Sequence, residues 1–117
     1  MGPMSGITCH VLDTSIGRPV AGIVVRVERR AGGQAWQGLG QALTNADGRV
    51  LGFEPPFELA SGEHRISFDT ATYFMRQGQP IFYPRVEVTF QVSAADEHYH
   101  IPLLLSPYGY STYRGSR

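Results

Sequence analysis

Apolar and polar residues alternate over several short segments of this chain, and this period of two restricts the fold more than any other feature. The clearest case runs from Val86 to Val92, where positions 86, 88, 90 and 92 are apolar and the positions between them are polar. Successive side chains of a β-strand point to opposite faces. The segment is therefore predicted to be a strand with one buried face and one exposed face.

Two further segments show the same pattern. A strand over residues 20–28 would turn Ile23, Val25 and Val27 inward, and another would place His64, Ile66 and Phe68 on one face. The only helix that the pattern supports is short. Asp69 or Thr70 can cap it, Tyr73 and Phe74 give it an apolar side, and Gly78 can end it.

Turn-forming residues separate these segments, as expected for a chain with 14 glycines and 8 prolines. Gly17-Arg18-Pro19 precedes the strand over 20–28. Asn45-Ala46-Asp47-Gly48 carries an Asp-Gly pair between segments 36–44 and 49–53, which predicts an antiparallel hairpin there. Taken together, the patterns favour an all-β protein.

Charge and composition exclude several functional classes. The net charge is zero, and the ten basic residues, all arginines, are scattered, so a nucleic-acid partner is not expected. The absence of lysine removes Schiff-base chemistry. No apolar run approaches the 18 residues of a membrane span, which predicts no membrane association. The single cysteine, Cys9, fits a reducing compartment, and a cytoplasmic location is expected.

The chain is predicted to form one domain. Residues 1–6 are interpreted as a disordered N-terminus or a cloning remnant, and residues 7–117 as the folded unit. A domain of this size can build a sufficient core without disulfides or structural metals.

Strand parity places three of the four histidines away from the core. In the first strand Ile7, Cys9 and Val11 point inward, so Thr8 and His10 point outward. In the last long strand the apolar positions are Tyr99, Ile101, Leu103 and Leu105. His98 and His100 therefore share the opposite face.

The residues alone leave the role of these histidines open. His98 and His100 could belong to a solvated polar face, could bind a metal together with His10, or could supply His100 and His10 as acid and base. Cys9 and His10 cannot form a nucleophilic pair, because neighbours in a strand point to opposite faces, and Cys9 is predicted to be a core residue. His64 is predicted to be a packed or edge histidine.

Two other features have both an ordinary and a functional interpretation. Arg49 directly follows the Asp47-Gly48 turn, where it is either an exposed arginine or a guanidinium aimed from the mouth of a hairpin. The segment 108–116 contains Tyr108, Tyr110 and Tyr113 and is too aromatic for a frayed terminus. It is predicted to form a strand that packs against the rest of the protein.

Four motifs in order along the chain resemble the 5-hydroxyisourate hydrolase family of the transthyretin-like group. They are Cys9-His10-Val11-Leu12-Asp13-Thr14 with Gly17-Arg18-Pro19, Thr44-Asn45-Ala46-Asp47-Gly48-Arg49, His98-Tyr99-His100-Ile101-Pro102-Leu103, and Tyr113-Arg114-Gly115-Ser116. The resemblance covers residues 7–116. Family members usually end at the serine, whereas Arg117 follows it here, so a terminal carboxylate at that serine is lost or displaced.

The resemblance implies a transthyretin-like (prealbumin-like) sandwich of two sheets, with about eight strands and one short helix, assembled as a homotetramer. It implies hydrolysis of 5-hydroxyisourate in urate degradation, at active sites on the subunit interface and without a metal or an organic cofactor. His10, Arg49, His100 and Ser116 would be catalytic, and His10, Arg49 and Tyr113 would bind the substrate. A hormone carrier such as transthyretin is the alternative, but it lacks the Tyr-Arg-Gly-Ser ending.

Overall fold

A computed structural model describes residues 6–116 as a sandwich of two β-sheets with one short helix. The predictions about residues 1–5 and about Arg117 lie outside the described residues. The strands are β1 Ile7–Asp13, β2 Arg18–Pro19, β3 Val24–Arg30, β4 Gln37–Leu43, β5 Arg49–Val50, β6 Gly62–Phe68, β7 Val86–Val92, β8 Tyr99–Ser106 and β9 Gly109–Thr112, and the helix α1 is Thr70–Arg76. The predicted all-β sandwich is confirmed.

The first sheet carries the histidines. Its strands follow the order β2-β1-β8-β9, and β5 pairs with β1 beside β2. The β1 and β8 strands are parallel neighbours although they lie near opposite ends of the chain. The second sheet has the order β4-β3-β6-β7, and all its pairings are antiparallel.

The core fills the space between the two sheets. The apolar positions predicted for the last long strand are buried, and so are Ile23, Val25 and Val27, although β3 begins only at Val24. The predicted strand from Val86 to Val92 is observed with these bounds. Alternation determined these faces because a shift by one residue would expose every apolar side chain of the strand.

The predicted helix is also confirmed. Asp69 caps α1, and its carboxylate accepts hydrogen bonds from the backbone and hydroxyl of Thr72. The chain leaves the helix through Gly78, whose φ of 65° is a left-handed conformation that glycine adopts without strain. No helix within residues 6–116 is long and apolar enough to cross a membrane.

The predicted hairpin at the Asp-Gly pair forms only in part, as an antiparallel bridge between Gln41 and Glu54. The turn itself forms, with the Gly48 amide donating to the Asn45 carbonyl at 2.9 Å. The segments on either side of it join different sheets, since β4 pairs with β3 and β5 pairs with β1. A tight turn reverses the chain locally but does not fix which strands pair. Asn45–Gly48 is thus a crossing between the sheets.

Candidate functional site

His10 and His100 lie on adjacent strands of one sheet, with their side chains on its outer face. In the parallel β1–β8 pairing, Thr8 is opposite His100 and His10 is opposite Pro102. Both histidines are partly exposed, while Cys9 and Ile101 on the inner face are buried. The outward direction predicted from strand parity is confirmed for both histidines.

The crossing turn brings Arg49 beside His10. Arg49 stands opposite His10 in the β1–β5 pairing. It therefore lies within the sheet and not at the mouth of a hairpin, where the sequence pattern had placed it. The side-chain oxygen of Asn45 accepts from the amides of Asp47 and Arg49, each at 2.9 Å. The carbonyl of Asp47 lies 2.9 Å from His10 Nε2. One turn therefore positions both the backbone of Arg49 and the imidazole of His10.

The hydrogen bond to Asp47 also assigns one proton. A carbonyl oxygen can only accept, so His10 Nε2 carries a hydrogen and donates it. In the neutral ring the lone pair is then on Nδ1. His10 is thereby held with a defined tautomer and a defined ring position.

The last residues of the chain close one side of the site. The β9 strand covers residues 109–112 and pairs with β8, whereas residues 113–116 form no strand, so the predicted terminal strand is only partly observed. The Gly115 amide donates to the His100 carbonyl at 2.8 Å. Arg114 donates to the His98 carbonyl at 3.0 Å and to Glu97 Oε1 at 3.1 Å. Arg114 thus anchors the tail.

Gly115 leaves no room for a side chain. A Cβ at this position would lie 2.5 Å from His100 Cδ2. The tail backbone therefore packs directly on the imidazole and limits its rotation. This explains the need for glycine between Arg114 and Ser116.

These side chains surround a cavity of about 350 Å³. Its lining includes every residue predicted for the site: His10, Arg49, His100, Tyr113 and Ser116. A larger and more open cavity of about 900 Å³ lies by β2 and α1, but it contains no histidine. The smaller cavity is better suited to acid–base chemistry, and its volume fits a small-molecule ligand.

The electrostatics keep His100 neutral. Partial burial lowers the pKa of His100 below its usual value of 6.5, and the nearby charges of Arg49, His10 and His98 lower it further. A neutral imidazole can accept a proton at physiological pH. His100 is therefore suited to act as a base.

Thr8 joins two histidines and was not predicted as a site residue. Its hydroxyl lies 2.8 Å from His98 Nε2 and 2.8 Å from His100 Nδ1, and the residue is only 8% exposed. Parity places Thr8 on the same face as His10. The contact itself depends on the parallel pairing of β1 with β8, which the sequence pattern does not show.

The other two candidates lie in the core, as predicted. Cys9 is fully buried, and burial raises the pKa of its thiol to about 12, so it is not a nucleophile at neutral pH. His64 is also fully buried, stacks on Phe90 and contacts the Gly62 carbonyl through Nδ1 at 3.0 Å. Burial lowers the pKa of His64, which stays neutral inside the sandwich.

The metal interpretation of the histidines finds no support in their arrangement. Within residues 6–116, no three His, Cys, Asp or Glu side chains are grouped as metal ligands. The Thr8 hydroxyl occupies the position between His98 and His100. The two rings therefore converge on a hydroxyl oxygen, without a third ligand from the described residues.

Sequence comparison identifies the family. The model of the HIUase/Transthyretin family matches residues 7–115. A relative from Caulobacter vibrioides named 5-hydroxyisourate hydrolase is 47% identical, and the alignment covers 97% of this chain and 100% of the relative. The family model therefore spans all the strands and every cavity-lining residue except Ser116.

Solved structures show the same architecture. The structure of Klebsiella pneumoniae 5-hydroxyisourate hydrolase has a TM-score of 0.81 and 33% identity, with 94% of this chain and 98% of that chain covered. Sea bream transthyretin in complex with thyroxine has a TM-score of 0.84 and 28% identity, with 96% of each chain covered. Sequence and structure agree that this chain belongs to the HIUase/transthyretin family.

Proposed function

We propose that this protein hydrolyses 5-hydroxyisourate by opening its six-membered ring at the N1–C6 amide bond, giving 2-oxo-4-hydroxy-4-carboxy-5-ureidoimidazoline. The observation that carries the proposal is the cavity in which His10, His100 and Arg49 meet. The chain also shares 47% identity with a full-length relative that is named for this activity. The protein is a hydrolase, and its substrate is a small molecule.

The two histidines supply the proton transfers. Water must lose a proton as it attacks C6, and N1 must gain one as it leaves. His10 and His100 border the same cavity, and each has one ring nitrogen held by a neighbour, through Asp47 for His10 and Thr8 for His100. The remaining nitrogen of each ring is available to water or substrate. We assign these two transfers to the pair.

Arg49 orients the ring and stabilises charge. Within residues 6–116 no carboxylate forms an ion pair with Arg49, so its guanidinium is available to a ligand. A guanidinium donates two parallel hydrogen bonds, which suits adjacent carbonyl and nitrogen acceptors of a flat heterocycle. The same donors stabilise the oxyanion that forms on the attacked carbonyl.

Tyr113 and Ser116 contribute the tail side of the cavity. Tyr113 is 58% exposed, so its ring is free to cover a bound heterocycle. Ser116 is an exposed cavity residue whose hydroxyl can hold water or a substrate carbonyl. We propose that Tyr113 binds the substrate and that Ser116 positions the reacting groups.

The direct test generates the substrate in place. Urate oxidase converts urate to 5-hydroxyisourate, whose ultraviolet absorbance decays spontaneously. We expect the decay to accelerate in proportion to the concentration of this protein, and Arg49→Gln to remove most of the acceleration. Arg85→Gln is the control, because Arg85 pairs with Glu87 on the other sheet. Decay that is equally fast with and without protein would contradict the proposed activity.

A transthyretin-like carrier is the second candidate, supported by the TM-score of 0.84 to sea bream transthyretin. A carrier would bind an aromatic ligand without changing it. It would therefore leave the decay rate of free 5-hydroxyisourate unchanged, so the same assay separates the two candidates. The histidine and arginine arrangement favours the hydrolase.

We also propose that the protein is a homotetramer whose active sites form where subunits meet. The cavity is open to solvent on an outer sheet face, and a ligand is enclosed there only when a second surface covers it. Exposed aromatic side chains near β9 support burial against another subunit: Phe82, Tyr108 and Tyr110 are 59%, 64% and 42% exposed.

Size-exclusion chromatography with light scattering tests the assembly. We expect a mass about four times that of the 12.9 kDa chain. We also expect the specific activity to fall on dilution once subunits dissociate, because the cavity is then uncovered. A fully active monomer would disprove the interface location.

A further inference from the structure

The Thr8 hydroxyl can satisfy both histidines and its own hydrogen in only two ways when both rings are neutral. Its one hydrogen has no third partner within residues 6–116, so the hydroxyl donates to one ring and accepts from the other. In the first arrangement His98 Nε2–H donates to Thr8, which donates to His100 Nδ1. In the second, His100 Nδ1–H donates to Thr8, which donates to His98 Nε2. The hydroxyl thereby couples the tautomers of the two rings.

The choice between these arrangements decides what His100 can do. Its Nδ1 is engaged by Thr8, so Nε2 is the nitrogen that remains for the cavity. In the first arrangement Nε2 carries a hydrogen and cannot accept a proton. In the second arrangement Nε2 has a lone pair and is a base.

The charge of Arg49 favours the second arrangement. Arg49 borders the same cavity and is close enough to His100 to disfavour a positive charge on the ring. The cation attracts a lone pair on Nε2 and repels a hydrogen there. The hydrogen therefore belongs on Nδ1, where the largely buried Thr8 receives it.

We propose that Thr8 and His98 are positioning residues that hold His100 in the tautomer with its hydrogen on Nδ1, so that Nε2 takes the proton from the attacking water. The assignment rests on the proposed hydrolysis. The hydroxyl of water bonds to C6, and its proton moves to His100 Nε2. When the C6–N1 bond breaks, N1 takes a proton from the histidine pair, which returns to its starting state.

The same geometry makes His98 a determinant of activity although it does not line the cavity. In the second arrangement His98 Nε2 accepts the hydrogen of Thr8 and so keeps it from His100 Nδ1. Without that acceptor, Thr8 can turn its hydrogen towards His100 Nδ1, and His100 Nε2 then carries the hydrogen of the ring and loses its basic lone pair. In serine proteases, loss of the group that fixes the histidine tautomer costs about 10⁴-fold in turnover.

Two variants separate this role from a structural one. Thr8→Val keeps the shape of the side chain and removes the hydroxyl, whereas Thr8→Ser keeps the hydroxyl. We expect Thr8→Val to lower kcat by at least about tenfold with KM within about twofold, and Thr8→Ser to retain kcat within about threefold. Thr89→Val is the control, because Thr89 is exposed on β7 in the other sheet.

A spectroscopic measurement tests the tautomer without any substrate. The chain has only four histidines, so ¹⁵N-histidine labelling and single substitutions assign each ring by nuclear magnetic resonance. We expect His100 to show a protonated Nδ1 and a bare Nε2 at neutral pH, and to lose this preference in Thr8→Val. A hydrogen on Nε2 in the unsubstituted protein, or wild-type kcat in Thr8→Val, would overturn the inference. Absence of turnover in the unsubstituted protein would instead contradict the proposed function and leave the tautomer result standing.

Discussion

Replacing His100 with asparagine is expected to lower kcat for 5-hydroxyisourate by about 10²- to 10⁴-fold, the range typical for loss of a positioned acid or base. Asparagine can keep a hydrogen bond to the Thr8 hydroxyl but cannot accept a proton at neutral pH. The parallel change at His10 is expected to lower kcat as well, because that ring borders the same cavity and shares the proton transfers with His100. Steady-state kinetics with urate oxidase as the substrate source measure both.

Stability measurements distinguish this effect from unfolding. His100 is only partly buried, and its strand keeps its backbone pairing with β1 in the variant, so the melting temperature should change by only a few degrees. Thr89→Asn introduces the same residue on the exposed face of the other sheet and should retain full turnover. Wild-type kcat in both histidine variants would show that the proton transfers have been assigned to the wrong residues.

Gly48→Ala is expected to destabilise the protein by roughly 3 kcal/mol, about 10 °C or more in melting temperature. Gly48 has a φ of +76°, which costs other residues about 1–2 kcal/mol. A Cβ there would also lie 2.4 Å from the Val11 carbonyl, so the backbone of the turn or of β1 must move. Thermal or denaturant unfolding measures this loss of stability.

Gly17→Ala is the matched control for this prediction. Gly17 has a similar φ of +67°, but no atom lies within 4 Å of a Cβ built there. The Gly17→Ala variant should lose only about 1 kcal/mol of stability, the cost of the left-handed backbone conformation. The difference between the two variants measures the contact with Val11. Equal losses would mean that the turn adapts freely and does not hold Asp47 and Arg49 against His10.

Strand faces could be predicted because burial enforces them. Each alternating segment has one parity that avoids exposing apolar side chains, so the inward direction of Cys9 and the outward directions of His10 and His100 followed from spacing alone. The fold class followed from the same regularity. Neither result required knowledge of which strands are neighbours.

Strand pairing could not be predicted, because it depends on contacts between distant parts of the chain. The turn at Asn45–Gly48 predicted a hairpin, yet β5 pairs with β1. That pairing, and not the turn type, brings Arg49 to His10. For the same reason the contacts of Thr8 could not be predicted, since its partners lie 90 and 92 residues away. The residues of the site were identified by family resemblance, and their geometry required the structure.

The parallel pairing of β1 with β8 also bears on how the protein is made. Contacts between residues so far apart in sequence form late and slowly during folding, because a long loop must close first. A nascent chain that has emerged only as far as β7 has its first strand without a neighbour on that side. Its exposed edge could then pair with other chains. The nascent chain would therefore be prone to aggregation until its last strands have been synthesised and released.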